Sequence, residues 1–101
     1  MKSKKVDNFF EELFSSINKS AKGKDALSYT KTLIKKGKNQ IAKKVGEEST
    51  ELIIDYLKGS KKRTIEEAAD LIYHVFVLLY DKKISLNDVR KELVKRRNVR
   101  R

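Results

Sequence analysis

The chain of 101 residues has no cysteine and no proline, and it has a single histidine, His74. The absence of cysteine excludes disulfides, thiolate metal ligands and a cysteine nucleophile, so a bound metal must use oxygen ligands or His74. The longest uncharged stretch, residues 71–80, is half as long as a membrane span, and the first ten residues lack the apolar core of a signal peptide. We therefore expect a cytoplasmic protein without a membrane partner.

The length of the chain predicts a single domain, residues 1–101. A core of this size is too small to enclose a deep site alone, so we expect a homodimer or a higher homo-oligomer to complete one. Lysine and arginine total 25 against 14 acidic residues, which gives a net charge of +11 and favours an anionic partner. The acids nevertheless cluster, in GEESTE at 46–51 and in EEAAD at 66–70.

Apolar residues recur at helical spacing, and the sequence therefore predicts an all-α fold of about five helices. The first predicted helix spans about residues 4–20, with an apolar stripe of Val6, Phe9, Phe10, Leu13, Phe14 and Ile17. The second is capped by Ser28 or Thr30, ends or kinks at Gly37, and contains Leu33 and Ile34. The third spans about residues 38–57, with an inner stripe of Ile41, Val45, Leu52 and Tyr56.

Two capping boxes predict where the remaining helices begin. After the stop KGSKK, Thr64 followed by Glu67 predicts the start of a fourth helix that runs to about Tyr80. Ser85 followed by Asp88 predicts the start of the last helix, whose apolar edge is formed by Leu86, Val89, Leu93 and Val94. The basic tail, residues 98–101, is expected to fray.

The acidic residues of the third and fourth helices are spaced as pairs. Glu48 and Glu51 share one helix face, and so do Glu67 and Asp70. Asp70 begins a stretch that is apolar almost all round, which predicts that it lies in an interior or an interface and needs a compensating partner. Two antiparallel helices carrying such pairs would bring four carboxylates to one point, the ligand type that Mg²⁺ or Mn²⁺ prefers.

Each of these features also has an ordinary explanation. Glutamates three residues apart are commonly solvated or paired in salt bridges, and for GEESTE taken alone this explanation is favoured. His74 is more often a satisfied core or interface histidine, bonded for example to Asp70, than a metal ligand. Lys43 and Lys44 commonly belong to a solvated surface, but beside an acidic metal site they can hold phosphate oxygens.

Longer motifs carry a family resemblance. The pattern EExxE, a spacer and ExxD is met by Glu47, Glu48 and Glu51 followed by Glu67 and Asp70. The segments SYTKTL at 28–33, IAKKVGEESTE at 41–51 and EAADLIYHVFVLL at 67–79 extend it over roughly residues 6–97. With these segments the chain resembles the phosphoribosyl-ATP pyrophosphohydrolases of histidine biosynthesis, which are MazG-like all-α nucleotide pyrophosphohydrolases.

This resemblance implies a helical bundle completed by dimerisation through the fourth helices, and Mg²⁺-dependent hydrolysis of phosphoribosyl-ATP to phosphoribosyl-AMP and pyrophosphate. This is the second step of histidine biosynthesis. The implied metal ligands are Glu48, Glu51, Glu67 and Asp70, with Glu47 as a nearby ligand or as the base that orients water. Candidate substrate contacts are Tyr29, Thr30, Lys43 and Lys44, although packing by Tyr29 and capping by Thr30 are equally good explanations.

Two rival functions are compatible with parts of the sequence. A MazG-like pyrophosphohydrolase of other nucleoside triphosphates would share the acidic motif, but SYT and KKVGEE favour the histidine pathway. A small basic helical nucleic-acid-binding module would account for the charge of +11. The sequence has no recognisable DNA-binding signature, however, and the acidic cluster would repel a phosphate backbone, so nucleic acid is not expected as the main partner.

Overall fold

The computed structural model describes residues 8–23 and 28–100, with side chains as far as Arg97. Within these ranges the protein consists of helices and turns without a strand, so the predicted all-α fold is confirmed. No helix in the described ranges has the length and hydropathy that crossing a membrane requires. The helices are α1 (Phe9–Lys22), α2 (Tyr29–Lys36), α3 (Lys38–Lys58), α4 (Lys61–Asp81) and α5 (Leu86–Arg100).

The core lies where the first four helices meet. Each of them contributes one fully buried apolar side chain to it, namely Ile17, Leu33, Ile41 and Val77. Half-buried side chains pack around this centre: Leu13, Ile34, Tyr73, Phe76, Leu78 and Tyr80. The predicted apolar stripes therefore meet at these positions, while the predicted helix start near residue 4 and Val6 lie outside the described residues.

The position of Tyr56 differs from the one predicted in the inner stripe of α3. Its side chain is 76% exposed, and Ile53, Ile54 and Leu57 at the same end of α3 are exposed as well. Ile41, near the other end of α3, is fully buried. The prediction that Tyr56 faces the core is wrong, because α2, with 8 residues, is too short to cover both ends of the 21-residue α3.

Helix α2 is preceded by a serine and followed by a glycine. Ser28 caps it by accepting a hydrogen bond from the backbone nitrogen of Lys31 at 3.3 Å, so of the two predicted caps Ser28 is the one used. Gly37 ends α2 and immediately precedes α3, with a φ of +100° that L-residues with a side chain rarely adopt. The short link keeps Tyr29 and Thr30 close to the helices that carry the acids.

Helices α3 and α4 form an antiparallel hairpin with the most extensive packing in the fold. They are joined by Gly59 and Ser60 alone, and Ser60 accepts a hydrogen bond from the backbone nitrogen of Arg63 at 3.0 Å. The prediction that Thr64 starts α4 is therefore wrong, because Ser60 caps the helix one turn earlier. Thr64 instead donates to the backbone oxygens of Asp55 and Ser60 and so ties the start of α4 to the end of α3.

Helix α5 starts with the predicted capping box. Asp88 accepts a hydrogen bond from the Ser85 backbone nitrogen at 3.0 Å, and Ser85 Oγ accepts one from the Asp88 nitrogen at 3.1 Å. The Arg90 guanidinium pairs with Glu11 and so connects α5 to α1. The backbone of α5 is helical to Arg100, and the fraying expected for residues 98–101 stays a prediction.

Candidate metal centre

Five carboxylates meet between α3 and α4. One oxygen each from Glu48, Glu67 and Asp70 lies within 4.8 Å of the others, and we call these residues the first group. Glu51, Asp55 and Glu67 satisfy the same condition and form the second group. Spacings of three and four residues place the α3 acids along one face of that helix, opposite the α4 acids. The two groups share Glu67, which therefore lies at the centre of the cluster.

Glu67 is also the most buried of the five, with only 9% of its side chain exposed. Its Oε2 atom accepts a hydrogen bond from Arg63 Nη2 at 2.9 Å, whereas Oε1 is buried and has no hydrogen-bond partner within the described ranges. Close approach of the Glu48 carboxyl raises the pKa of Glu67 most; burial and the charges of Glu48 and Asp70 raise it further, and Arg63 lowers it. Negative charge is therefore crowded around an oxygen that lacks a donor.

Asp55 shows the same deficiency in the second group. Its Oδ2 atom is buried without a hydrogen-bond partner among the residues described, and the closest cation, Arg63 Nη2, lies 3.7 Å away. Buried polar atoms in folded proteins almost always have partners, so two such oxygens in one cluster indicate a missing one. Clustered carboxylates are ligands for hard divalent cations such as Mg²⁺ and Mn²⁺. The residues present therefore fit a divalent cation.

The four acids predicted as metal ligands are brought together, but in a different arrangement from the one expected. Glu48 and Glu51 fall into different groups, and Glu67 connects them. Asp70 is exposed in the single chain, so it does not lie in the interior of this chain, and its burial at an interface stays a prediction. Asp70 and Val77 are seven residues apart and so lie on the same face of α4, which the core covers at Val77 and leaves open at Asp70.

Of the predicted base and lysines, Glu47 and Lys44 lie at the edge of the first group. Lys44 Nζ lies 3.5 Å from Glu48 Oε2 and 3.6 Å from Glu47 Oε1. Burial lowers the pKa of Lys44, but Tyr29, Glu48 and Glu47 together raise it above its ordinary value. The Glu47 side chain is 50% exposed and belongs to neither group. Lys43 is exposed and makes no ion pair within the described part of the chain, so its contact with substrate stays a prediction.

Tyr29 and Thr30 reach α4 from the first turn of α2. The Tyr29 hydroxyl is 2.8 Å from His74 Nε2, and the Thr30 hydroxyl is hydrogen-bonded to the Tyr73 hydroxyl. His74 Nδ1 is 2.8 Å from the backbone oxygen of Asp70. His74 thus has partners at both ring nitrogens, which agrees with the favoured explanation of a satisfied buried histidine. Thr30 is buried inside the first turn and does not cap α2.

Asp55 and Arg63 belong to the site, but the motif pattern does not include them. Asp55 follows Glu51 by four residues, and Arg63 precedes Glu67 by four, so each lies on the same helix face as a predicted ligand. Extending the helical projection by one turn at the end of α3 and at the start of α4 would have identified both. The pattern alone gave no reason to continue past Glu51.

Fold and site together define an all-α protein in which a carboxylate cluster suited to a divalent cation lies beside a lysine. Residues 10–98 match the family model described as phosphoribosyl-ATP pyrophosphohydrolase. The chain belongs to this family, and the resemblance inferred from its motifs is confirmed. It is therefore an enzyme of the class that hydrolyses phosphoric anhydrides.

Individual relatives agree with the family match. A protein of Sulfolobus acidocaldarius named phosphoribosyl-ATP pyrophosphatase is 48% identical over 90 residues, which cover 89% of this chain and 95% of the relative. Proteins of the same name from Metallosphaera sedula and Bacillus thuringiensis are 45% and 41% identical over 91 residues. These matches cover 90% of this chain and 98% and 85% of the two relatives, respectively. The similarity thus extends over nearly the full length on both sides.

Proposed function

We propose that the protein hydrolyses phosphoribosyl-ATP to phosphoribosyl-AMP and pyrophosphate in the second step of histidine biosynthesis, with Mg²⁺ as its cofactor and Mn²⁺ as a possible substitute. The observation that carries this proposal is the unpartnered Oε1 atom of Glu67 at the junction of two carboxylate groups. Family membership supports the choice of substrate. A biosynthetic step of this kind also supports a cytoplasmic location.

In this proposal Glu48, Glu51, Glu67 and Asp70 hold the cation, and Asp55 adds a fifth carboxylate from the second group. When bound, a divalent cation polarises a phosphoryl oxygen, lowers the pKa of a coordinated water and neutralises the departing pyrophosphate. The chain itself supplies the fixed geometry, since α3 and α4 are tied together through Thr64 and by their short connection. Arg63 limits the repulsion between Asp55 and Glu67 while the site is free of cation.

The edge of the first group supplies the remaining functions. Glu47 is half-exposed, pairs with Lys44 and belongs to neither group, so we assign its carboxylate the role of accepting the proton of the attacking water. The Lys44 ammonium can hold phosphate oxygens while the carboxylates bind the cation. We propose the same role for Lys43 in the substrate complex. The Thr30 hydroxyl is engaged with Tyr73, which favours support of α2 over direct contact with the substrate.

A homodimer or a higher homo-oligomer is part of the proposal. Large apolar side chains on the hairpin formed by α3 and α4 are exposed in the single chain: Ile53, Ile54, Tyr56, Leu57, Ile65 and Ile72. A concentration of exposed apolar side chains on one element is typical of a protein interface. A second copy covering this surface would also enclose the carboxylate cluster, which opens from the same hairpin.

The proposal is tested by pyrophosphate release from phosphoribosyl-ATP, with Mg²⁺ and with a chelator, beside ATP and the common deoxynucleoside triphosphates. We expect Mg²⁺-dependent release with a clear preference for phosphoribosyl-ATP. Glu67→Gln should reduce kcat/KM by at least about 100-fold, because it removes the shared carboxylate. Glu66→Gln is the matched control, since Glu66 is the adjacent acid and pairs outward with Lys62 and Arg63.

Three results would contradict the proposal in different ways. Equal losses in the two variants would show that Glu67 has no special role in the site. Comparable turnover of ordinary triphosphates would instead favour the broader MazG-like pyrophosphohydrolase activity. Salt-sensitive binding of nucleic acid without metal-dependent hydrolysis would favour the nucleic-acid-binding module that the charge of +11 suggests.

A further inference from the structure

His74 is the single histidine of the chain and is 6% exposed, yet the proposed chemistry does not use it. Its ring makes edge-to-face contacts with two tyrosines, with centroids 5.7 Å from Tyr29 and 5.1 Å from Tyr73. Edge-to-face packing is a preferred arrangement of aromatic rings and restricts their rotation. The position of the imidazole is therefore set by its neighbours before any substrate binds.

The hydrogen bonds of His74 determine which ring nitrogen carries the proton. The backbone oxygen of Asp70 can only accept, so Nδ1, which lies 2.8 Å from it, must donate. In the neutral ring Nε2 is then an acceptor. The Tyr29 hydroxyl, 2.8 Å from Nε2, must therefore donate its proton to the histidine. A directed series of hydrogen bonds thus runs from the Tyr29 hydroxyl through the imidazole to the backbone of Asp70.

This series of hydrogen bonds leaves the Tyr29 oxygen able to accept a further hydrogen bond but not to donate one. Tyr29 is 49% exposed and lies at the rim of the first group. Its hydroxyl is joined through the His74 ring to the backbone of Asp70, an acid of the first group, so its oxygen lies close to the cluster. Burial is the largest cause that raises the pKa of Tyr29; Lys44 lowers it, and Tyr73, Glu48 and Asp70 raise it further. A phosphate oxygen is itself an acceptor and cannot donate a hydrogen bond to the Tyr29 oxygen. A sugar hydroxyl can donate one, and the sugar is the group directly bonded to the phosphates.

We propose that His74 is a positioning residue that turns the lone pairs of the Tyr29 oxygen toward the substrate, where this oxygen accepts a hydrogen bond from a sugar hydroxyl of the nucleotide. The inference rests on the proposed function, because it requires a nucleotide whose phosphates are held by the carboxylate cluster and Lys44. Tyr29 then recognises the substrate, and His74 acts only through Tyr29.

The first test determines the tautomer of His74 by NMR. Because there is one histidine, a long-range ¹H–¹⁵N correlation spectrum at about pH 8 contains one imidazole, whose nitrogen shifts report its tautomer. We expect a proton on Nδ1 and a bare Nε2, with the Nε2 shift changing on Tyr29→Phe. A proton on Nε2, or an Nε2 shift that does not respond to Tyr29→Phe, would overturn the inference.

The second test is kinetic and uses Tyr29→Phe, His74→Phe and the double variant on phosphoribosyl-ATP with saturating Mg²⁺. His74→Phe retains the ring and its packing while removing the acceptor. We expect each single variant to raise KM about 3- to 10-fold, the range of one lost hydrogen bond, with kcat within about twofold. In the double variant KM should equal that of Tyr29→Phe, because His74 acts through a hydroxyl that is no longer present.

Tyr73→Phe is the control, since it removes the other hydrogen bond between α2 and α4, that with Thr30. It should lower the unfolding temperature without raising KM. If His74→Phe raises KM by the same factor with and without the Tyr29 hydroxyl, His74 has only a structural role and the inference fails. If the wild type releases no pyrophosphate from phosphoribosyl-ATP, the proposed function fails, and the sugar contact fails with it.

Discussion

Arg63 donates a hydrogen bond to Glu67 Oε2 at 2.9 Å across one turn of α4. The same nitrogen, Nη2, is 3.7 Å from Asp55 Oδ2 on α3, and Nη1 bonds to Glu66 at 2.8 Å. One guanidinium thus links both helices of the hairpin on the side of the second group. It provides the positive charge that a cluster of acids needs when no cation is bound.

Arg63→Gln should therefore change the response to Mg²⁺. Without divalent cations we expect a lower unfolding temperature than in the wild type, because Glu67 and Asp55 lose their nearest positive charge. With saturating Mg²⁺ the two proteins should become more similar, so the increase caused by Mg²⁺ is larger in the variant. Thermal unfolding with Mg²⁺ or with a chelator measures both. Lys62→Gln is the control, since Lys62 is highly exposed and pairs only with Glu66 among the described residues.

Asp55→Asn tests whether the second group takes part in cation binding. We expect the affinity for Mg²⁺ to fall about tenfold, because a charged ligand or near neighbour is replaced by a neutral amide. Titration calorimetry with Mg²⁺ measures this directly. Asp81→Asn removes an exposed charge at the far end of α4 and should leave the affinity unchanged. An equal, small change in both variants would limit the site to the first group.

Gly59 is predicted to be required by close packing rather than by its backbone angles. A Cβ atom at this position would lie 2.7 Å from Asp55 Oδ1 and 2.9 Å from the Asp55 Cα and backbone oxygen. Gly59→Ala should reduce the free energy of unfolding by about 1–3 kcal/mol, since two of these atoms belong to the backbone. Gly46→Ala meets nothing within 4 Å and should increase it by about 0.5–1 kcal/mol. Urea unfolding measures the free energy of unfolding of both variants, and changes of the same sign would contradict the prediction.

Asp88 is predicted to make the start of α5 sensitive to acid. Hydrogen bonds from the backbone and the side chain of Ser85 lower its pKa below the ordinary value of 3.8. A carboxyl whose pKa is lower in the folded than in the unfolded state stabilises the fold above its unfolded pKa, and this contribution is lost as the pH falls through the folded pKa. This contribution to stability is therefore lost below about pH 4.

The measurement is the pH dependence of unfolding, combined with the NMR titration of the Asp88 carboxyl. Asp88→Ala should be less stable than the wild type at neutral pH, and the difference should shrink below about pH 4. Ser85→Ala should move the pKa of Asp88 back toward 3.8, because it removes one of the donors. A stability difference that stays constant down to pH 2 would exclude this role.

Features that depend on neighbours along the chain were predictable. The capping box of Ser85 and Asp88 and the helical character of every described element follow from spacing of three or four residues, and the end of α2 follows from the backbone freedom of Gly37. The carboxylate pairs were predictable for the same reason. Where two local signals competed, as Ser60 and Thr64 did at the start of α4, the sequence alone did not show which one would be used.

The arrangement of the site depends on contacts between helices, and only the tertiary structure decided it. Glu67 rather than Asp70 is the buried acid, although the two share a helix face, because burial depends on how far the neighbouring helices cover that face. Tyr29 reaches His74 across 45 residues, a contact that no local pattern contains. The amino-acid sequence determined the helices, their caps and the acids they carry, since these depend on short-range geometry; packing determined which acid is central and which side chains support it.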